Sequence, residues 1–231
     1  MITWNGTTSN SLGIFVEKYP NRVKPAKKVE IVSVPGRNGD LVFETDAYEN
    51  VPQEYDVFIS ENRPANAADI ATWLYAPKGY HRLTDSYDTT HFRLAYYAGE
   101  TNVENIFNRF GRATLSFICK PQRLLNSGET VTTRTVAGNI NNPTAFESLP
   151  LIKITGSGTV NLNIGGQVVK VVIDNGDITL DSETQNAYKG TTNLNAKVTG
   201  AFPKLYAGTN AISWSGGTVT KVEITPRWWE L

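Results

Sequence analysis

The side chains best suited to chemistry in this sequence are two histidines and one cysteine. His81 and His91 lie in or beside predicted strands, and neither has the spacing with which a helix presents paired histidines to zinc. Cys119 is the only cysteine, so an intramolecular disulfide is excluded. The sequence therefore predicts ordinary strand histidines and a buried thiol that acts as a small apolar side chain.

The acidic residues give one motif that superficially resembles a calcium loop. Asp174 and Asp177 flank an Asn-Gly pair, and Asp181 follows. The alternating ligands at positions 1, 3 and 5 and the glutamate at position 12 are missing, which favours a hairpin turn with outward aspartates. Glu54 and Asp56 share one face of a predicted strand, where carboxylates are usually solvated.

Motifs for a nucleophilic serine, a phosphate loop or a dinucleotide fold are absent from the sequence. We therefore expect no catalytic residue, no cofactor-binding residue, no metal ligand and no cofactor. The protein is expected not to be an enzyme.

Three tryptophans near the end of the chain could contact a ligand or a partner. Trp214 alternates with Ile212, which predicts that it packs into a core. Trp228 and Trp229 are adjacent and would point in opposite directions in an extended tail, so at least one is expected to meet another surface.

Composition limits the classes of partner. The 231 residues carry 22 basic and 22 acidic side chains, which predicts no electrostatic contact with nucleic acid. No apolar run approaches the roughly 20 residues of a membrane helix, and the first residues lack the features of a signal peptide. We expect no membrane insertion and a reducing compartment.

The first half of the chain is predicted to be α+β with a mostly antiparallel sheet. Residues 112–120 alternate cleanly, with Ala113, Leu115, Phe117 and Cys119 on one face, and should form the last strand of a domain. The one predicted helix covers residues 64–75, capped by Asn62. No assignment is made for residues 103–110. Further strands are predicted at residues 3–4, 12–17, 29–34, 41–44, 53–60, 80–83 and 90–97.

Two exposed segments of the first half are candidate subunit contacts. Residues 18–28 carry five basic side chains and two prolines, which predicts a solvated extended connection. Residues 36–40 contain Asn-Gly between two apolar runs, a strong hairpin signal.

The second half has many short apolar runs separated by turn residues and no helical pattern. Strands are predicted at residues 130–136, 150–155, 159–164, 167–173, 177–181, 201–205, 210–214 and 218–225. Residues 139–144 are predicted to be a polar loop, and residues 156–158 and 174–176 to be turns. This pattern indicates a β-sandwich or jelly roll. The domains are placed at residues 1–125 and 126–231, with an exposed linker at residues 126–128.

Several short runs, in order along nearly the whole chain, resemble a known family. They are VPGRNGDL at residues 34–41, Trp73-Leu74, residues 80–83 and 115–121 in the first half. In the second half they are residues 150–158, DITLDSE at 177–183, GAFPKL at 200–205 and residues 208–214. With these runs the chain resembles the distal tail proteins of siphophages, which form the hub of the tail tip or baseplate.

The resemblance implies a structural virion protein in two parts. It implies that the first domain forms a hexameric ring joining the tail tube protein to the tail-tip hub or tail-lysin protein. The second domain would be a galectin-like β-sandwich that projects outward and sometimes carries a receptor-binding protein. The parts would assemble in the host cytoplasm before they reach the virion, and the family's long insertions are missing here.

Two other functions stay open at this point: a carbohydrate-binding adhesin or baseplate receptor-binding module, and a non-catalytic part of a hydrolase. Galectin-type sites combine a stacking tryptophan with histidine and arginines. Residues 126–231 contain no histidine, and their only arginines are Arg134 and Arg227. We therefore expect the second domain to make protein contacts or act as a spacer and not to read sugars in the galectin manner.

Overall fold

The computed structural model describes residues 1–60, 65–99 and 111–231, except the side chains of Asp46 and Asn175. The chain divides into two compact units, Met1–Arg123 with Leu231, and Leu124–Glu230. Independent folding of the two predicted domains, 1–125 and 126–231, stays a prediction. Residues 103–110 lie outside the described part.

The first unit is built on antiparallel strands and one helix. Its described strands are β1 (Ile2–Trp4), β2 (Thr7–Thr8), β3 (Ile14–Val16), β4 (Lys27–Val32), β5 (Leu41–Tyr48), β6 (Val51–Ile59), β7 (His81–Asp85), β8 (Asp88–Tyr97) and β9 (Gly111–Cys119). Seven of them form a sheet in the order β2-β1-β7-β8-β9-β6-β3, and β4 and β5 form a separate two-stranded sheet. A 3-10 turn covers Ser9–Leu12.

Strand β9 confirms the alternation that predicted it. Leu115, Phe117 and Cys119 are fully buried, while Arg112 and Thr114 on the other face are exposed. The strand pairs with β6 along its whole length, from Cys119 opposite Val51 to Gly111 opposite Ile59. Strands β6 and β9 thus present one continuous apolar face to the core.

The helix α1 (Ala67–Tyr75) covers that face, but it begins later than predicted. Asn66 caps it, because its Oδ1 accepts from the Asp69 N–H at 2.9 Å and the Asp69 carboxylate accepts from the Asn66 N–H at 3.0 Å. The predicted cap Asn62 and first-turn Pro64 lie outside the described residues. Ile70, Trp73 and Leu74 are buried as expected.

The second unit contains strands, the loops between them and two short 3-10 turns, at Asn126–Glu129 and Asn195–Lys197, and no α-helix. Its strands are β10 (Arg123–Leu125, at the border), β11 (Thr132–Arg134), β12 (Gly138–Asn142), β13 (Leu151–Ile164), β14 (Gln167–Asp181), β15 (Asn186–Lys189), β16 (Thr192–Asn193), β17 (Val198–Thr199), β18 (Gly208–Ser215), β19 (Thr218–Thr225) and β20 (Trp229–Glu230). The predicted all-β architecture is confirmed.

Two long strands, β13 and β14, hold the sandwich together. Residues 151–157 of β13 pair with β19, and residues 161–164 pair with β18, so one long strand pairs on the same side with two different strands of the sheet. The predicted turns at residues 156–158 and 174–176 are therefore wrong, since both lie within continuous strands. Glycine permits the bend: a Cβ at Gly156 would lie 2.0 Å from the Thr218 carbonyl oxygen, and Gly176 has φ 96°.

Three other predictions in the second unit are wrong. The predicted strand at 201–205 contains only one isolated bridge, between Ser148 and Leu205. The predicted polar loop at 139–144 contains most of β12, because Ile140 and Asn142 point inward. The third prediction, an exposed linker, is wrong in part: Ser127 is exposed, but Gly128 is buried and its carbonyl accepts from the Arg227 N–H at 2.8 Å.

Each unit has its own apolar core. The first contains Trp4, Tyr55 and Phe117 among its largest buried side chains, and the second is built mainly from Ile, Val and Leu of β13, β14 and β19. Among the described residues there is no helix long and apolar enough to cross a membrane.

Candidate assembly surface

Strands β4 and β5 form a hairpin, and none of its residues belongs to the apolar core that the described residues of its unit form. We call residues 27–48 the arm. Every residue of β4 is exposed, and the turn at residues 36–40 is exposed throughout. The predicted hairpin is confirmed, with Ile31 opposite Val42 and Val32 opposite Leu41.

The arm is apolar on both faces. Because directly paired residues share a face, Ile31 and Val42 lie on one side, and Val32 and Phe43 on the other. Their exposed fractions are 61% for Ile31, 57% for Val42 and 54% for Phe43. An isolated two-stranded hairpin is marginally stable in water, and contiguous exposed apolar surface marks contact sites. The arm therefore has the properties of a segment that another surface covers.

The connection that leads into the arm is fixed to the sheet at several points. The Gln53 side chain donates to the Asn21 carbonyl at 3.0 Å, and Lys18 pairs with Asp56 at 2.6 Å. Arg22 reaches both Asp85, at 3.3 Å, and Asp88, at 3.1 Å. The Lys18 pair is exposed and adds little stability, whereas Arg22 and its two partners are largely shielded from water. The predicted solvated connection is thus anchored through Arg22.

His91 belongs to this cluster of charges. Its Nδ1 lies 2.9 Å from Asp88 Oδ1, and Arg123 Nη2 lies 2.7 Å from Asp88 Oδ2. Burial by itself raises the pKa of Asp88, but the hydrogen bonds from His91, Arg123 and Thr90 outweigh it and leave the pKa far below its usual range. Among the described residues no group of three or more His, Cys, Asp or Glu side chains is placed to hold a metal ion.

His81 and Cys119 are surrounded by packing and hydrogen-bond contacts that indicate a structural role. The His81 ring packs edge-on against Trp4 at 5.8 Å, and its Nε2 lies 3.1 Å from the Lys78 carbonyl. Burial raises the pKa of the Cys119 thiol to about 12. The Asp56 side chain pairs with Lys18 and accepts from Thr114 at 2.8 Å, while Glu54 is exposed. These placements agree with the structural interpretation of each residue.

The aspartates of the supposed calcium loop do not converge. Asp174 pairs with Lys197 at 3.2 Å, and Asp177 lies 3.7 Å from Lys153. Asp181 pairs with Arg227 at 2.6 Å. Burial raises the pKa of Asp181, but hydrogen bonds from Arg227 outweigh it, so the pKa is lowered overall.

The three tryptophans all pack within the second unit. Trp214 lies against the apolar core, as its alternation predicted, and Trp228 is only 5% exposed. Trp229 stacks on Phe146 with ring centroids 4.5 Å apart and donates to the Glu147 carbonyl. We expected Trp228 or Trp229 to contact another surface, and both contact residues of the second unit itself.

Sequence reasoning missed an open groove beside β11 and β12. Its lining includes Thr132, Arg134, Asn139, Asn141 and Trp228. Arg134 Nη2 donates to the Asn139 carbonyl at 2.5 Å. Because Trp228 is nearly fully buried, the groove offers no open tryptophan face on which a sugar ring would stack.

Comparison with known proteins is informative at the level of structure alone. No protein-family model and no curated protein matches the sequence. The crystal structure of the SPP1 Dit (gp 19.1) protein matches with a TM-score of 0.72, covering 100% of this chain and 98% of that one at 14% identity. This chain has the Dit fold.

The match confirms the fold that the sequence resemblance implied, across both units. SPP1 Dit is described as a paradigm of the hub adsorption apparatus in phages that infect Gram-positive bacteria. At 14% identity the likeness concerns the fold alone.

Proposed function

We propose that this protein is a structural subunit of a phage tail tip, a hub that self-associates into a closed ring. The observation that carries the proposal is the arm, which has apolar side chains on both faces and supplies no residue to the core as far as the chain is described. The Dit fold supports the same role. The protein acts by assembly, without catalysis and without a cofactor.

A second copy is the occupant that fits the arm best. The sheet of the first unit ends in the three-residue edge strand β3, where Phe15 pairs with Phe58. These two side chains are 43% and 40% exposed and form an apolar patch at an open sheet edge. An arm reaching from one copy to a different surface on the next is a head-to-tail contact, which closes into a ring when the rotation per subunit is suitable.

The ring would have six subunits and would join the tail tube protein to the tail-tip hub or tail-lysin protein. In this proposal the protein is located in the virion tail tip, after assembly in the host cytoplasm. The second unit would face outward and carry a receptor-binding protein or act as a spacer. Its packed tryptophans support a protein-contact role over the alternative of a carbohydrate-binding adhesin.

Electron cryo-microscopy of intact tails with an antibody against the second unit tests the proposal. The expected result is six copies of the label around one ring at the tail tip. Native mass spectrometry of the purified chain gives an independent measure of ring size. Absence of the protein from the tail tip would refute the function, whatever the protein does in solution.

A further inference from the structure

Strand β12 is an open edge of the sheet in the second unit. It pairs only with β18, and among the strands described in that unit it is the longest one with a single partner. Its five residues, 138–142, include no charged residue and no proline. Edge strands of natural proteins are usually short or carry such residues, which keep other chains from pairing with them. The edge of β12 is therefore suited to accept a further strand.

The backbone groups that a further strand would use follow from the pairing of β12. Asn139 lies opposite Ala211, and the Ala211 carbonyl accepts from the Gly165 N–H at 2.8 Å, on the side of β18 away from β12. Opposite residues of an antiparallel pair exchange both backbone hydrogen bonds or neither, so Asn139 turns its N–H and C=O to the open edge. Asn141 lies two residues further along the strand and has the same orientation.

One arginine lies across the groove from this edge. Arg134 belongs to the neighbouring edge strand β11, and its Nη2 donates to the Asn139 carbonyl, which independently shows that this carbonyl faces the groove. The Arg134 Nε is buried and has no hydrogen-bond partner among the described residues. Of the described residues that line the groove, Arg134 alone is charged. A ligand with a carboxylate would supply both the missing acceptor and the missing negative charge.

We propose that the groove between β11 and β12 binds an extended segment of a partner protein as a further strand. The segment pairs with the backbone of Asn141 and with the Asn139 N–H, and it places an acidic side chain beside Arg134. The groove is open and has a volume of about 390 Å³. Strand addition of this kind draws its affinity from backbone hydrogen bonds and its specificity from side chains. That the partner is another component of the tail tip rests on the proposed function, whereas the site itself does not.

Selection of random ten-residue peptides, displayed on yeast, against the full chain tests the proposal. One peptide synthesised from the selected sequences should bind the chain in solution. Asn141→Pro should weaken this binding about tenfold, because proline removes the backbone N–H. Asn141→Ala is the matched control, since it keeps the N–H and should change binding little. A selection that yields no binding peptide, or equal effects of the two substitutions, would overturn strand addition.

The role of Arg134 is tested with the same peptide. The selected sequences should be enriched in Asp and Glu, and exchange of the acidic residue of the peptide for its amide should weaken binding about tenfold. In Arg134→Gln the same exchange should have almost no effect. A selection without preference for acidic residues, or a loss that persists in Arg134→Gln, would contradict the proposed charge pairing.

Amide hydrogen exchange needs no variant and covers the case in which Asn141→Pro does not fold. Adding the peptide should slow exchange at residues 139–141, and unchanged exchange there would refute the site. All these measurements use the purified chain. A failure to bind peptide therefore leaves the proposed ring untouched, and absence of the protein from the tail tip leaves this site untouched.

Discussion

Replacing Val42 by serine separates the role of the arm from general effects on folding. Val42 is 57% exposed and belongs to no apolar core, so the free energy of unfolding of the monomer should change little. In the proposed ring the exposed part of this side chain is covered by a second copy. The substitution should therefore weaken assembly selectively.

The size of the effect follows from the exposed fraction. Full burial of a valine side chain stabilises by about 1.5–3 kcal/mol, so covering 57% of it contributes about 0.9–1.7 kcal/mol. Since each 1.4 kcal/mol is a factor of ten, the dissociation constant at each subunit contact should rise about 4- to 16-fold.

The chain offers a closely matched control. Val168 is also 57% exposed and also lies in a strand, but in the second unit, which is not expected to form the ring. Sedimentation velocity across a range of concentrations should show weaker self-association for Val42→Ser and unchanged self-association for Val168→Ser. Equal effects of the two substitutions would show that the arm is not the contact.

Other predictions address folding, charge and ligand binding. Residues 1–123 and 124–231, expressed separately, should each unfold cooperatively by circular dichroism, and an unfolded fragment would contradict independent domains. Folding lowers the pKa of Asp88, so the ionised carboxylate stabilises the protein above the ordinary aspartate pKa, and this stabilisation is lost progressively as the pH falls below that value. In Asp88→Asn the fall in Tm between about pH 5 and pH 2 should therefore be smaller than in the unmodified protein. Titration of the second unit with host cell-wall polysaccharide should show no micromolar binding, and binding that Trp214→Ala abolishes without unfolding would contradict the protein-contact role.

Strands β6 and β9 of the first unit were predictable because one face of each strand is buried and the other is largely exposed to solvent. Alternation over residues 53–60 and 112–120 gave the correct buried faces of β6 and β9, since a strand repeats every two residues. The start of the helix was less determined: Asn62 and Asn66 are both suitable caps, and only Asn66 has Asp69 three residues later to complete a capping box.

The errors in the second unit share a physical cause. Residues 156–158 (Gly-Ser-Gly) and 174–176 (Asp-Asn-Gly) have the composition of turns, yet they lie inside the paired strands β13 and β14, where the register shifts at residues 155–158. Local sequence does not distinguish these uses, because both need positive φ or close backbone approach. Strand β12 was missed for a different reason. The Asn142 side chain is buried, and it donates hydrogen bonds to the Phe146 and Leu205 carbonyls, so a polar residue occupies an inward position.

The arm shows what a sequence pattern leaves open about assembly. Consecutive apolar pairs, Ile31-Val32 and Val42-Phe43, place apolar groups on both faces of each strand, a pattern typical of strands buried on both sides. In the structure both faces are exposed, so the pattern is not satisfied within one chain. The surfaces that would cover the two faces of the arm must therefore come from outside the monomer. In the proposed ring, the same apolar composition that is unfavourable for an isolated hairpin would stabilise the contact between subunits.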